Sequence, residues 1–146
     1  MAGMMRIVTH DERCRECQAC TLACSLYHEG ECNLSLARLQ VLKDMARYQF
    51  QILVCRHCES PDCMAACPSE AIQVNELGAA AIDDTLCSRC GACAAACPYG
   101  VLFYSETHDR YLKCDLCAGR EGGPVCVAIC PVGALTLEAT AVEEVA

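Results

Sequence analysis

Cysteine is the residue type in this chain whose number and spacing carry chemistry. Of the 17 cysteines, sixteen fall into four runs of four. The runs are Cys14, Cys17, Cys20, Cys24; Cys55, Cys58, Cys63, Cys67; Cys87, Cys90, Cys93, Cys97; and Cys114, Cys117, Cys126, Cys130. Thiolates are soft anionic ligands that select iron–sulfur clusters and zinc. The sequence therefore predicts sixteen metal-ligating sulfurs.

The spacing within the runs favours [4Fe–4S] clusters. The third run, C-x2-C-x2-C-x3-C followed by Pro98, matches the bacterial iron–sulfur ligand pattern at every position. In that pattern three cysteines hold one cluster, and the fourth ligates a second cluster. Pro68 and Pro131 follow two further runs, and a proline there ends the helix that carries the last cysteines. We expect four clusters, with three as the fallback count.

Two other cysteine chemistries fit less well. A disulfide framework predicts a secreted chain, but residues 1–10 show no apolar stretch behind a basic start. Cysteines three residues apart in a triplet also cannot all pair off. Structural zinc usually takes two ligands from each of two separated pairs, rather than three close cysteines and a distant fourth.

Charge and motif content exclude several functions. The 146-residue chain has a formal net charge of −8, and four oxidised clusters of about −2 each would bring it to about −16. Such a molecule would be repelled by nucleic acid. No apolar run approaches the roughly 20 residues that span a bilayer, so we expect no transmembrane segment. No phosphate-binding loop or nucleophile–base pair is present, so we expect no catalytic site of its own.

Short helices and hairpins are expected between the ligands. We predict helices at residues 18–27, 61–66, 91–97 and 124–130, and hairpins at 39–54, 71–82 and 101–113. The first run ends Cys24-Ser25 without proline, so its exit turn is expected to be less constrained. Because the apolar core is small, the chain without clusters should be poorly folded.

Five segments carry a family resemblance: CRHC at 55–58, CPYG at 97–100, KCDLC at 113–117, GPVC at 123–126 and CPVGAL at 130–135. With the cysteine runs, they make the chain resemble the four-cluster electron-transfer subunits of molybdenum- and tungsten-pterin oxidoreductases. That family includes the iron–sulfur subunits of dimethyl sulfoxide reductase and formate dehydrogenase. The likeness runs from about Arg6 to Leu137. In size the chain is most similar to the compact subunits of tungsten aldehyde oxidoreductase-like and benzoyl-CoA-reductase-type complexes.

The resemblance implies an α+β fold of two pseudo-symmetric ferredoxin-like dicluster modules. An inner module, residues 55–100, would be nested in an outer one formed by 1–54 and 101–146. It also implies the ligand sets. They are Cys14, Cys17, Cys20 with Cys130; Cys114, Cys117, Cys126 with Cys24; Cys55, Cys58, Cys63 with Cys97; and Cys87, Cys90, Cys93 with Cys67.

The resemblance also implies a role in anaerobic metabolism. The chain would relay single electrons to or from a larger catalytic subunit, with further electron-transfer subunits or a ferredoxin as additional partners. Reduced thiolates suit the cytoplasm, with any attachment to a membrane made through partners. The alternatives are a free polyferredoxin, a hydrogenase- or carbon monoxide dehydrogenase-linked subunit, and a zinc-binding structural protein.

Several other residues invite a functional interpretation. Cys32 is outside the runs, and we expect a buried small hydrophobe. We expect His57 to be packed or hydrogen-bonded rather than a ligand, and His10, His28 and His108 to lie on the surface. The acidic residues Glu138, Glu143 and Glu144 should form a solvated end.

Overall fold

The computed structural model describes residues 5–139 and contains short helices and strands in regular alternation. The strands are β1 (Met5–Thr9), β2 (Leu39–Asp44), β3 (Gln49–Val54), β4 (Ile72–Val74), β5 (Ala80–Ile82), β6 (Phe103–Ser105), β7 (Arg110–Leu112) and β8 (Leu135–Ala139). The α-helices are α1 (Ala19–Glu29), α2 (Asp62–Ala66), α3 (Ala92–Ala96) and α4 (Val125–Ile129). Two single 3-10 turns, Asp11–Arg13 and Leu34–Leu36, complete the described elements. The small mixed α+β class is as predicted.

The strands form four separate two-stranded antiparallel sheets. Three are local hairpins, β2–β3, β4–β5 and β6–β7, and they confirm the predicted hairpins at 39–54, 71–82 and 101–113. The fourth joins the two ends of the described chain, because β1 pairs with β8 in the register Met5↔Ala139 to Thr9↔Leu135. The sequence analysis did not predict this sheet.

Three of the four helices have only five residues, and each stops at a cysteine followed by proline. The helices α2, α3 and α4 end at Cys67, Cys97 and Cys130, each with an extended backbone. The residue before a proline is driven out of the α region, so the chain must turn there. Their observed bounds confirm the predicted helices at 61–66, 91–97 and 124–130.

The first helix differs because Ser25 stands where the other runs have proline. No turn forms after Cys24. Instead α1 continues to Glu29 and ends at Gly30, which has the left-handed φ of 76° that favours glycine. The predicted helix at 18–27 is therefore two residues short at its end, and the expected loose exit turn is wrong.

The core is built from leucines and cysteines together. Five leucines are almost fully buried, and they are Leu36, Leu39, Leu112, Leu116 and Leu135. Buried cysteines belong to the same clusters of side chains, so the ligands are part of the interior. Within residues 5–139 no helix is long and apolar enough to cross a membrane.

Two predictions of side-chain exposure made from the sequence are wrong. Cys32 is exposed, because it lies in the turn that follows the end of α1 at Gly30. The His28 side chain is only 9% exposed, because the longer α1 carries it inward. His108 is exposed as expected, and His57 is buried at 3% exposure and packed, also as expected. Glu143 and Glu144 lie outside the described residues.

Candidate iron–sulfur sites

All four cysteine runs share a left-handed backbone position. Glu16, His57, Arg89 and Leu116 each lie two residues after the first cysteine of a run, and their φ angles are 55°, 47°, 61° and 60°. A left-handed residue there turns backbone N–H groups towards the preceding sulfur. The N–H of His57 donates to Cys55 Sγ over 3.4 Å, and that of Leu116 donates to Cys114 Sγ over 3.5 Å. The repeat seen in the sequence is thus a repeat in backbone geometry.

The turns after the last cysteine are also alike in two runs. The N–H of Ala71 donates to Cys67 Sγ, and the N–H of Ala134 donates to Cys130 Sγ, each over 3.3 Å. In the first run, where the helix continues, Cys24 Sγ takes its hydrogen bond from the more distant Arg38 N–H, also over 3.3 Å. Hydrogen bonds to sulfur stabilise a thiolate, the form in which cysteine binds metal.

We call the first group site A. Cys14, Cys17 and Cys20 line one cavity together with Cys130, which comes from the opposite end of the chain. Cys14 and Cys20 are buried, while Cys17 is exposed.

Site B consists of Cys24, Cys114, Cys117 and Cys126, all of which are buried. Burial raises the pKa of Cys126, and the nearby Cys24 and Cys117 raise it further. Burial also raises the pKa of Cys114 well above its usual value, with Cys126 and Cys24 adding to the rise. The four thiols therefore lie near one another, away from solvent.

Site C consists of Cys55, Cys58, Cys63 and Cys97, which line one cavity. Tyr99 lines the same cavity beyond Cys97 and is half-exposed, with the Arg56 guanidinium carbon 4.2 Å from its ring centre.

Site D consists of Cys67, Cys87, Cys90 and Cys93, which line another cavity. Cys90 is exposed, and Cys93 is buried.

Each site therefore combines three cysteines of one run with the last cysteine of another. These are the four sets that the family resemblance implied. That each set binds iron stays a prediction.

Burial makes these thiols hard to ionise on their own. It raises the pKa of Cys20 to about 11, and the pKa of Cys24 also to about 11. In Cys63 burial raises the pKa, while the Lys113 ammonium group opposes the rise. A buried thiolate needs positive charge close by, and iron bound at the site would supply it.

Two functional neighbours of the sites were missed from the sequence. Lys113 is buried, with Nζ 3.1 Å from Cys55 Sγ. His28 Nε2 lies 3.6 Å from Cys117 Sγ and 3.5 Å from an Asp115 carboxylate oxygen. Burial and then the charge of Arg38 lower the pKa of His28 to about 4, although Asp115 opposes the change, so the ring is neutral at pH 7. The position of Lys113 directly before Cys114 was the only available sequence signal.

The donor sets fit iron–sulfur clusters. Each site offers four soft sulfur donors, which also suit zinc by chemistry alone. Held by four cysteines, a [4Fe–4S] cluster supplies reversible one-electron transfer, and its irons are closed to substrate. The protein residues hold the sulfurs, exclude water from sites such as B, and aim backbone N–H groups at them.

Comparisons with known proteins favour iron–sulfur clusters over zinc. The 4Fe-4S dicluster domain family matches residues 46–140, and a 4Fe-4S binding domain matches residues 11–27. The thiosulfate reductase electron transfer subunit PhsB of Salmonella typhi is 33% identical over 140 residues, covering 88% of this chain and 73% of the relative. A polypeptide of the anaerobic dimethyl sulfoxide reductase of Escherichia coli is 36% identical over 139 residues, covering 84% of this chain and 67% of the relative.

A solved structure has a similar fold. In the active site complex BamBC of benzoyl coenzyme A reductase with benzoyl-CoA, one polypeptide superposes with a TM-score of 0.59 and 28% identity. The match covers 97% of this chain and 82% of that one. A polypeptide of the polysulfide reductase of Wolinella succinogenes is a further relative, 36% identical over 140 residues, covering 87% of this chain and 72% of the relative. The chain belongs to the 4Fe-4S dicluster family and is an iron–sulfur electron-transfer subunit, not the catalytic subunit, of an oxidoreductase.

Proposed function

We propose that this chain relays single electrons through four [4Fe–4S] clusters, held at sites A, B, C and D, to or from a larger catalytic subunit with a molybdenum or tungsten pterin. The observation that carries the proposal is the gathering of sixteen cysteines into four groups, each drawn from two runs. Because each site takes its fourth cysteine from another run, the chain would hold neighbouring clusters close to one another. Small separations between clusters are what electron transfer along a row requires.

The proposed modules are nested. Residues 55–100 contain every ligand of sites C and D, while 1–54 and 101–146 together contain every ligand of sites A and B. The outer pair of segments is supported by the β1–β8 sheet and by the packing of α1 on α4. The inner segment is supported by the packing of α2 on α3, whose cysteines Cys63 and Cys93 share one apolar cluster.

The contacts between sites support the order A–B–C–D. Cys126 of site B is close enough to Cys20 of site A for their charges to interact. Cys114 of site B is likewise near Cys55 of site C. Sites C and D share the apolar cluster of Cys63 and Cys93. Site B is wholly buried inside this row, whereas sites A and D at its ends each have one exposed cysteine, so electrons would enter and leave at the ends.

The relatives support a catalytic partner. Two are named as parts of dimethyl sulfoxide and polysulfide reductases, and the similar solved structure is an active site complex. Exposed apolar residues on the β2–β3 hairpin, namely Leu42, Met45 and Tyr48, offer contact area for such a subunit. A ferredoxin or a further electron-transfer subunit would be the other partner. We place the chain in the cytoplasm, with any membrane association made by its partners.

The test is an anaerobic purification of the protein from its native host, followed by iron, sulfide and zinc analysis of every co-eluting polypeptide. We expect about sixteen irons on this chain and a pterin-containing partner. The same iron on a lone, stable chain would indicate a free polyferredoxin. Co-elution with a hydrogenase or a carbon monoxide dehydrogenase would indicate the alternative function, a subunit linked to that enzyme. Zinc without iron would overturn the proposal.

A further inference from the structure

Lys113 is placed where sites B and C meet. The next residue, Cys114, belongs to site B, while the Lys113 side chain reaches the sulfur of Cys55 in site C over 3.1 Å. Its ammonium group also donates to the Ala80 carbonyl oxygen. The residue is only 4% exposed. A positive charge is therefore buried at the junction of the outer and inner segments.

Among the described residues, this ammonium group has no carboxylate partner. Over residues 5–139 no carboxylate oxygen lies within 4.0 Å of Lys113 Nζ, whereas the chain's other lysine, Lys43, is exposed and pairs with Glu16 at 3.1 Å. Burying an unpaired charge is costly, so an anion must balance it. The anions available at this place are the site C thiolates and the negatively charged cluster they would hold.

Cys55 also differs from the other ligand cysteines in the groups that donate hydrogen bonds to its sulfur. The sulfurs of Cys24, Cys67 and Cys130 each accept a backbone N–H. Cys55 Sγ accepts the His57 N–H as well as the charged Lys113 Nζ.

We propose that Lys113 raises the reduction potential at site C, because its buried positive charge lies beside Cys55. It would thus act as a positioning residue for electron transfer. The inference rests on the proposed function, since it requires a cluster at site C. A cluster held at site C by Cys55, Cys58, Cys63 and Cys97 would exchange one electron with a neighbouring cluster, with no bond made or broken. A fixed positive charge stabilises the reduced state more than the oxidised state.

The consequence is a preferred position for the electron in the middle of the row. An electron arriving from either end must cross between sites B and C, and Lys113 is the side chain that lies at that crossing. A higher potential at site C would hold the electron on the inner side. Arg56 also lines site C, but it is exposed, so solvent screens its charge.

The experiment compares Lys113→Met with Lys43→Met in the intact complex. Iron content is measured first, and each cluster is then followed in an anaerobic redox titration by electron paramagnetic resonance. We expect Lys113→Met to lower the reduced-to-oxidised ratio of one cluster at least tenfold at fixed potential, which is about 59 mV for one electron. Lys43→Met should leave unchanged the ratio of the cluster that Lys113→Met shifts. Full iron with four unshifted clusters in Lys113→Met would overturn the inference.

A second measurement needs no change at Lys113. In Lys43→Met protein grown with ¹⁵N-lysine, Lys113 is the one labelled lysine that this chain contributes, and its Nζ should couple magnetically to the reduced cluster at site C. Loss of one cluster in Lys113→Met together with this coupling would support the placement. Absence of the coupling in a fully loaded complex would overturn it. Absence of iron from the unaltered protein would instead overturn the proposed function.

Discussion

Ser25 and Asn33 are joined by a hydrogen bond in which the Asn33 backbone N–H donates to the Ser25 hydroxyl oxygen over 3.0 Å. The same hydroxyl donates to the Leu22 carbonyl oxygen over 3.0 Å. Ser25 is fully buried. This serine therefore links the middle of α1 to the segment beyond its end, at the position that proline occupies in the other three runs.

Replacing Ser25 by proline should break α1 and release the residues that follow it. A proline inside a helix costs about 3 kcal/mol or more, because it removes an N–H and clashes with the preceding turn. His28 would leave Cys117, and the Arg38 N–H would leave Cys24. We expect Ser25→Pro to lose the site B cluster first, measured as iron released during anaerobic urea titration.

Ser25→Ala is the matched control for that change. It removes the hydroxyl hydrogen bonds but keeps the helix, so it should cost about 1 kcal/mol and leave all clusters in place. If Ser25→Pro kept its clusters as well as Ser25→Ala does, the continuation of α1 would have no role in holding site B.

Gly91 has φ +78°, and a Cβ placed there would lie 2.7 Å from the Tyr111 hydroxyl oxygen. Gly91→Ala should therefore displace Tyr111, which lines site D, and weaken that site. Gly100→Ala tests the backbone effect alone, because Gly100 has φ +64° with nothing within 4 Å. We expect Gly91→Ala to lower the urea midpoint for cluster loss more than Gly100→Ala does.

A second variant identifies the clash. Adding Tyr111→Phe to Gly91→Ala removes the hydroxyl that the new methyl meets, so the double variant should return to the level of Gly100→Ala. The remaining loss, about 1–2 kcal/mol, is the cost of a left-handed alanine. A double variant no better than Gly91→Ala would show that Tyr111 is not the obstacle.

Local patterns predicted the hairpins, the short helices and the small α+β class, because those features depend on neighbours in sequence. The proline after a fourth cysteine marked the ends of α2, α3 and α4 correctly for the same reason. The β1–β8 sheet could not be predicted in this way. Its strands are about as far apart as the described chain allows, and nothing within either segment indicates its partner.

The side chains around the ligand cysteines could not be predicted from the sequence either. Lys113 looks like a surface residue in sequence, since lysine is seldom buried without a partner. Its burial follows from the cysteines around it, whose negative charge a sequence pattern does not display. His28 was misplaced because α1, with no proline after Cys24, continues two residues beyond its predicted end. Positive φ at Glu16, His57, Arg89 and Leu116 also follows from ligand geometry, not from residue preference.

Iron removal should unfold the chain. The interior contains many of the ligand cysteines, and the sequence has only two Phe and no Trp to replace the contacts that clusters make. Metal ligation and folding are then one equilibrium. After anaerobic treatment with an iron chelator and a thiol reductant, we expect far-ultraviolet circular dichroism to lose its cooperative transition. Adding iron and sulfide should restore it, and a chelated chain that still melted cooperatively would contradict the prediction.

The nested ligand sets predict which cysteine changes are equivalent. Cys130 lines the site A cavity with Cys14, although a long stretch of sequence separates them. Cys14→Ala and Cys130→Ala should therefore remove the same paramagnetic signal, and the double variant should remove nothing further. Cys93→Ala, at site D, should remove a different signal and add fully to Cys130→Ala. Electron paramagnetic resonance of the reduced complexes measures this. Two single changes remove the same signal only when both residues belong to one site. The nested arrangement would therefore be wrong if Cys130→Ala damaged every cluster equally, or if it damaged the same cluster as Cys93→Ala.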